Sequence, residues 1–302
     1  MKQNSFIIVT SILILLANLS FAQTSIDADF RKQAGEYYTN SNWDKAIESY
    51  LKIVSVEDKN LQAWSRLTTS YIQKKDFENA FTALQIAVTK GDHPNLWYNL
   101  SCLYARKNMK EKSIEALRKS ISAGYASSEA TLADDDFAEM KNDKEFLAVV
   151  DEMKRAEFPC QYNQRLKEFS FWIGEWNVYT TAGNKAGESK IEKILNDCVI
   201  LENWTNSSGR KGKSFNVINN NTGNWEQTWV DDSGNTTEFK KGKYENNSLS
   251  FNAEDKDANN NIQYQRLTFF KNEDGTVRQL GELSNDGVNW QTTYDLLYKK
   301  KN

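Results

Sequence analysis

The chain reads as an α+β protein of two domains, an all-α repeat array followed by an antiparallel β-barrel, and three observations predict this. Through the first half, large aromatics, tyrosines and small residues recur with one common period of 33 to 34 residues. At Phe-Ser-Phe-Trp-Ile-Gly-Glu-Trp, Phe169 to Trp176, the apolar residues stop recurring at helical spacing and begin to alternate. From there on, short alternating runs separated by Asn, Asp and Gly follow one another at about ten-residue spacing, as in a β-meander. The expected boundaries are a leader at 1–22, a helical domain at 23–156 and a barrel at 157–302.

The leader comes first. Lys2 supplies a positive start, Phe6 to Ala17 a largely apolar run, and Ser20-Phe21-Ala22 the small-residue pattern at which a signal peptide is cut. The run falls short of the roughly 20 apolar residues of a membrane span. A mature chain of about 280 residues is therefore expected, soluble in the periplasm or secreted, and long enough for two cores.

Charge and composition exclude several functions. With 38 Lys and Arg against 41 Asp and Glu, interspersed rather than blocked, there is no basic footprint for nucleic acid or an anionic membrane. The chain has one histidine, His93, in the turn signal Gly-Asp-His-Pro, so Ser-His-Asp and multi-histidine metal sites cannot be built. No cofactor is expected, haem included, because that histidine precedes the barrel. Three cysteines permit one bridge in an exported chain; Cys160 and Cys198 are the expected pair, with Cys102 free on a helix.

In the helical half, Phe30, Trp64 and Trp97 form one column of the repeat, Tyr37, Tyr71 and Tyr104 a second, and Ala46, Ala80 and Ser113 a third. Within each unit the second helix adds Tyr50, Leu84 and Leu117, then Ile53, Ala87 and Ser120, giving one apolar face with a small residue for close helix contact. These columns resemble the tetratricopeptide repeat (TPR) in three units. The glycine of that pattern is replaced by Ala34, Thr68 and Ser101, and its late proline is approximated only by Pro94. Beyond Gly124-Tyr125, Leu132, Asp135, Phe137 and Met140 predict a brief helix. Asn142 or Asp143 then caps another carrying Phe146, Leu147, Val150 and Met153 on one face, as in a solenoid cap. The resemblance implies that the concave face of the array binds an extended segment of a protein partner; the alternative is that so short an array only braces the barrel.

Ten strands are expected in the second half, near 175–181, 189–194, 198–205, 214–219, 224–231, 236–241, 248–252, 262–270, 277–283 and 290–299. Turns such as Asp232-Ser233-Gly234 and Asn285-Asp286-Gly287 suit hairpins, and so long a meander closes into a barrel. Gly174 is expected to let backbone approach closely, and Trp176 to plug the barrel floor. Phe171 to Trp176, Cys198 to Trp204, Trp225 to Asp231 and Ser284 to Trp290 resemble, in order, a family of bacterial lipocalin-like barrels without an assigned activity.

Alternation assigns one face to Ile200, Glu202 and Trp204; to Trp225, Gln227 and Trp229; to Arg278, Leu280 and Glu282; and to Trp290, Thr292, Tyr294, Leu296 and Tyr298. A solvent face rarely holds so many Trp and Tyr, and a dry core rarely holds unpaired Glu, Gln and Arg. Mixed faces suit a ligand cavity, and the candidate lining is Glu202, Trp204, Gln227, Trp229, Arg278, Glu282 and Tyr294. The guest would be a small apolar or aromatic molecule or a sugar. In the alternative, a filled barrel, Arg278 pairs with Glu202 or Glu282. Three functions follow: a non-enzymatic exported binding protein, a structural adaptor of the cell envelope, or an enzyme using Glu202 or Glu282 as general acid or base with Arg278 stabilising negative charge.

Overall fold

The computed structural model describes residues 25–256 and 259–301; the expected leader lies outside them. The chain divides into two units between Glu157 and Phe158.

In the first unit the small-residue columns sit where consecutive helices cross. The helices are α1 Ala28–Thr39, α2 Trp43–Val56, α3 Leu61–Gln73, α4 Phe77–Ala87, α5 Pro94–Arg106 and α6 Lys110–Ser122. Ala34, Thr68 and Ser101 on the first helix of each pair, and Ala46, Ala80 and Ser113 on the second, are all fully buried. At the third crossing the Ser101 and Ser113 hydroxyls, 3.1 Å apart, each donate to the other's carbonyl at 2.8 and 2.9 Å, which satisfies polar groups that a close approach would otherwise strand. The turn inside each pair has the same period: Ser41, Lys75 and Asn108 all take the left-handed conformation, with φ between 55° and 60°. Asp27, Asn60 and Asp76 cap α1, α3 and α4 by accepting from backbone N–H groups, and Pro94 opens α5 behind His93. The region is TPR-like.

The segment after the third pair is two pieces rather than one brief helix: α7 Ser128–Ala133 and a 3₁₀ helix Asp135–Met140. Asp143, not Asn142, caps α8 Lys144–Glu157, accepting from Phe146 N at 3.1 Å. Phe137, Phe146, Val149 and Met153 then bury against Cys102 and Leu117, closing the exposed end of the array.

The second unit is a closed antiparallel barrel of ten strands, each paired with its sequence neighbour and the last with the first. The strands are β1 Gly174–Thr180, β2 Lys185–Ile194, β3 Val199–Asn206, β4 Lys211–Ile218, β5 Trp225–Asp231, β6 Thr236–Glu245, β7 Ser248–Lys256, β8 Ile262–Lys271, β9 Val277–Ser284 and β10 Gln291–Lys300. Closure removes the sheet edges, so no strand is left as a template for aggregation.

One end of this barrel is stoppered by the chain that leads into it. A short helix Pro159–Tyr162 and 3₁₀ turns Gln164–Lys167 and Ser170–Trp172 precede β1. Phe169 and Trp172 stack at 4.9 Å and pack on Phe269, and Phe169 also meets Trp225 and Phe251 edge-on or tilted. Trp225 Nε1 donates to Glu168 Oε2 at 2.8 Å, Arg165 donates to the Gly223 carbonyl, and a disulfide joins Cys160 to Cys198 just before β3. Trp176 is fully buried in this floor, its Nε1 donating to the Trp172 carbonyl at 2.8 Å. Gly174 has φ 141°, which a side chain would resist.

Candidate functional site

Above the floor the barrel is not filled. A cavity of about 320 Å³, at the small end of the roughly 300–1,000 Å³ range of small-molecule sites, is lined by residues of β3, β5, β6, β8, β9 and β10. Its lining includes Glu202, Trp204, Gln227, Trp229 and Tyr294, so five of the seven expected residues converge on one space. Phe239, Leu267, Leu296 and Tyr298 supply most of the remaining apolar wall, and Thr237, Gln265 and Gln279 add polar groups.

Two expected residues, Arg278 and Glu282, are elsewhere. On β9 the inward positions are Val277, Gln279 and Gly281, so Arg278 and Glu282 lie on the outer face. Arg278 forms a two-pronged pair with Asp295 at 2.7 and 2.8 Å, and Glu282 accepts from Arg266 at 2.8 Å directly across the ladder. Arg266 also covers the Trp290 ring at 4.3 Å, which puts Trp290 outside as well. The cause on β10 is a bulge between Thr292 and Tyr294: Thr292 pairs with outward Glu282, Tyr294 with inward Gly281, and alternation counted through Thr293 changes face. Neither Arg278 pairing expected of a filled barrel forms.

The aromatic walls depend on glycines of adjacent strands. A Cβ on Gly212 would come within 2.3 Å of the Trp229 ring, and one on Gly281 within 2.4 Å of the Tyr294 ring, so both rings lie flat where a side chain is missing. Trp204 has the same relation to Gly187, at 2.8 Å. Tyr294 remains 39% exposed, which marks this as the open end.

At the bottom of the cavity Glu202 is held by side chains from three strands. Ser189 Oγ donates to its Oε1 at 2.8 Å, Ser214 Oγ to its Oε2 at 3.0 Å, and Tyr298 OH lies 3.3 Å from Oε1. Burial raises its pKa to about 7, the three hydroxyls resisting the rise. Among the described residues no ion pair includes Glu202. Tyr298 OH has one proton and two acceptors in reach, Glu202 Oε1 and the nearer Gln279 Oε1 at 2.7 Å, and shares it between them. Burial and Glu202 hold the Tyr298 hydroxyl far above its ordinary value.

A chain of hydrogen bonds fixes the neighbouring amides. The Ile200 carbonyl can only accept, so Asn216 must turn its Nδ2 toward it at 2.9 Å. Asn216 Oδ1 then accepts from Gln227 Nε2 at 2.6 Å, and the Gln227 oxygen is left as an acceptor. Ser189, Ser214 and Asn216 were not among the expected site residues. Their signal is the inward register of short polar residues, Gly212, Ser214 and Asn216, alternating with Lys211, Lys213 and Phe215.

Outside the barrel, Cys102, Asp134 and Asp136 bring possible ligand atoms within 4.8 Å of one another. Asp134 already accepts from Tyr98 OH at 2.7 Å, Asp136 is paired with Arg106, and burial holds the Cys102 thiol protonated. Both aspartates of this cluster therefore already have partners, Tyr98 and Arg106. The bridge between Cys160 and Cys198 is formed, and Cys102 is the free, buried cysteine.

Comparison with known proteins bears on the helical unit. Residues 94–123, α5 and α6, match the tetratricopeptide repeat family. The general transcriptional corepressor trfA of Dictyostelium discoideum is 33% identical over 86 residues, 28% of this chain and 6% of that protein's length. Among solved structures, crystal structures of MamA align with TM-scores of 0.37 and 0.36 at 21% and 17% identity. They cover 44% and 43% of this chain and 79% and 72% of theirs. The TPR2B domain of yeast Sti1, in its complex with pHsp70, aligns with a TM-score of 0.30 at 15% identity, over 43% of this chain and 93% of that one.

Proposed function

We propose that the chain is an exported, non-enzymatic binding protein whose repeats engage a protein partner and whose lipocalin-like barrel holds a small molecule. The observation that carries the ligand reading is the unequal filling of the barrel: one half is packed with Phe169, Trp172, Trp176 and Trp225, the other is a cavity of about 320 Å³. A barrel that served only as a brace would gain from packing apolar side chains into both halves, as the floor does. The repeats support a role in protein association, the common use of such arrays. The disulfide supports export to an oxidising compartment.

The test is native mass spectrometry of the full chain purified from its source without denaturation. A bound mass released on unfolding, and lost in Trp229→Ala, is the expected result. A wild-type protein that carries no adduct and gains none from an extract of its source would refute the ligand reading.

One observation favours a second reading. A carboxyl with a pKa of about 7 inside a cavity suits a general acid or base. The enzyme reading loses Arg278 as its charge stabiliser, because that guanidinium is committed to Asp295 on the outer face. Turnover of a bound compound, abolished in Glu202→Gln, would establish it.

A further inference from the structure

The one charged group of the cavity and the aromatic rings of its upper wall attract positive charge, while Thr237, Gln265 and Gln279 add neutral polar groups. Its lining contains one ionisable acid, Glu202, and no Lys, Arg or His. Serines direct their hydroxyl protons at both carboxylate oxygens, Ser189 at Oε1 and Ser214 at Oε2, an arrangement that suits the ionised form. Among the described residues no Lys, Arg or His pairs with it. Two arginine pairs between neighbouring strands, Arg266 with Glu282 and Arg278 with Asp295, lie on the outer face.

Two further features have the same sign. The Gln227 amide is turned by the chain running back to the Ile200 carbonyl, so that one of its N–H groups is spent on Asn216 and its oxygen is left to accept. Trp204, Trp229 and Tyr294 line the upper wall, and the faces of such rings carry the negative part of their quadrupole. A carboxylate, a carbonyl oxygen and three aromatic rings repel an anion, and each is better matched by a cation than by a neutral guest.

We infer that the barrel cavity is a site for a small protonated amine, its ammonium N–H groups donating to Glu202 and the Gln227 oxygen and its apolar part lying among Trp204, Trp229 and Tyr294. The inference rests on reading the cavity as a ligand site and adds the ligand's chemical class. An ammonium supplies the counter-charge that Glu202 lacks, and a buried carboxylate without one is costly. It also has donors for the acceptor oxygens of Glu202 and Gln227. The volume admits a guest about the size of an arylalkylamine.

Binding is coupled to the Glu202 proton. Near neutral pH the empty site is partly protonated, and a cation that binds the carboxylate displaces that proton to solvent. The groups that face Glu202 are Ser189 on β2, Ser214 on β4 and, on β10, Tyr298 and Tyr294; neither tyrosine ionises in this range.

The test is calorimetric titration of the full mature chain with alkyl and arylalkyl amines from butylamine to phenethylamine. Each is compared with its alcohol and carboxylate counterparts, in buffers of differing ionisation enthalpy at pH 7. The amines should bind at least about tenfold more tightly than the alcohols, and the carboxylates more weakly still. Amine binding should release a fraction of a proton per site. Glu202→Gln should bring the amine-to-alcohol ratio toward one and abolish proton release, whereas Arg278→Ala, on the outer face, should change neither. Because the ratio is measured within one protein, partial misfolding of a variant does not imitate the effect. Alcohols or carboxylates binding as well as the amines would overturn the inference and leave the ligand site standing. Absence of binding by every compound would overturn both.

Discussion

Replacing Glu202 by Gln should change how barrel stability depends on pH, by an amount set by the burial of one carboxyl. An ordinary glutamate titrates near 4.5, and Glu202 in the folded barrel near 7. Between these values the folded state holds a proton that the unfolded chain has released, so stability is full below about 4.5, drains as pH rises, and is fully lost above about 7. At about 1.4 kcal/mol for each tenfold in proton affinity, the loss is about 3 kcal/mol. The other acids whose values move, Glu188 and Asp286 among them, move down and act below this window. His93, lowered by burial in the helical unit, acts inside it with the opposite sign, but it is common to both proteins and cancels in the comparison. Urea unfolding should be followed by tryptophan emission, since six of the nine tryptophans belong to the barrel unit. The wild type should lose about 3 kcal/mol relative to Glu202→Gln between pH 5 and pH 8. Parallel profiles for the two proteins would refute the assignment of Glu202 as a buried acid without a counter-charge.

Four other outcomes are expected. The bridge closes a separation of 38 residues, which gives about 4 kcal/mol in the chain-entropy account. Cys160→Ser with Cys198→Ser should therefore lower the melting temperature of the barrel by about 8–16 °C in circular dichroism, and an unchanged value would mean the bridge adds little. Gly212→Val puts methyl groups where the Trp229 ring lies; it should cost about 1–3 kcal/mol in chemical denaturation and weaken any cavity ligand. Arg278→Ala, half-exposed on the outer face, should cost less than about 1 kcal/mol by the same assay. Ser113→Leu overfills the Ser101 crossing and strands its partner hydroxyl, so the helical signal should melt earlier while barrel fluorescence holds.

The helical unit was legible because every repeat solves the same packing problem. Ala34, Thr68 and Ser101 differ chemically, yet each is small where two helices touch, and the period itself supplied the register. The strands were legible because each hairpin is bounded by turn residues, and all ten expected strands overlap an observed one. Which face points inward was legible only where alternation runs unbroken, as through Ile200, Glu202 and Trp204. It failed at the bulge after Thr292, and on β9, where Arg278 and Glu282 are as polar as inward Gln279 and composition does not distinguish the faces. The Asn216 chain was beyond sequence reading, since it depends on which strands become neighbours. The glycine positions were not: a glycine inside a strand two residues out of register with a large aromatic on its neighbour, as Gly212 is with Trp229, is a pairing that strand order makes visible.

The two halves of the barrel interior obey one rule, that a large ring must lie against something. In the floor, Phe169 and Trp172 lie on Phe269 and Trp225, ring against ring, and the space closes. In the upper half Trp229 and Tyr294 lie on Gly212 and Gly281, ring against backbone, so each ring folds flat on the wall instead of reaching across. Side chains of the same size thus fill one half and leave the other open, and the difference is set by the residues beneath them. Glu202 lies near the junction, bonded to strands β2 and β4 and beside Tyr298, whose ring meets the floor at Trp172 and Trp176. A carboxyl placed there is shielded from water below by the aromatic floor and is reached from above only through the cavity. Its charge therefore depends on what occupies that cavity.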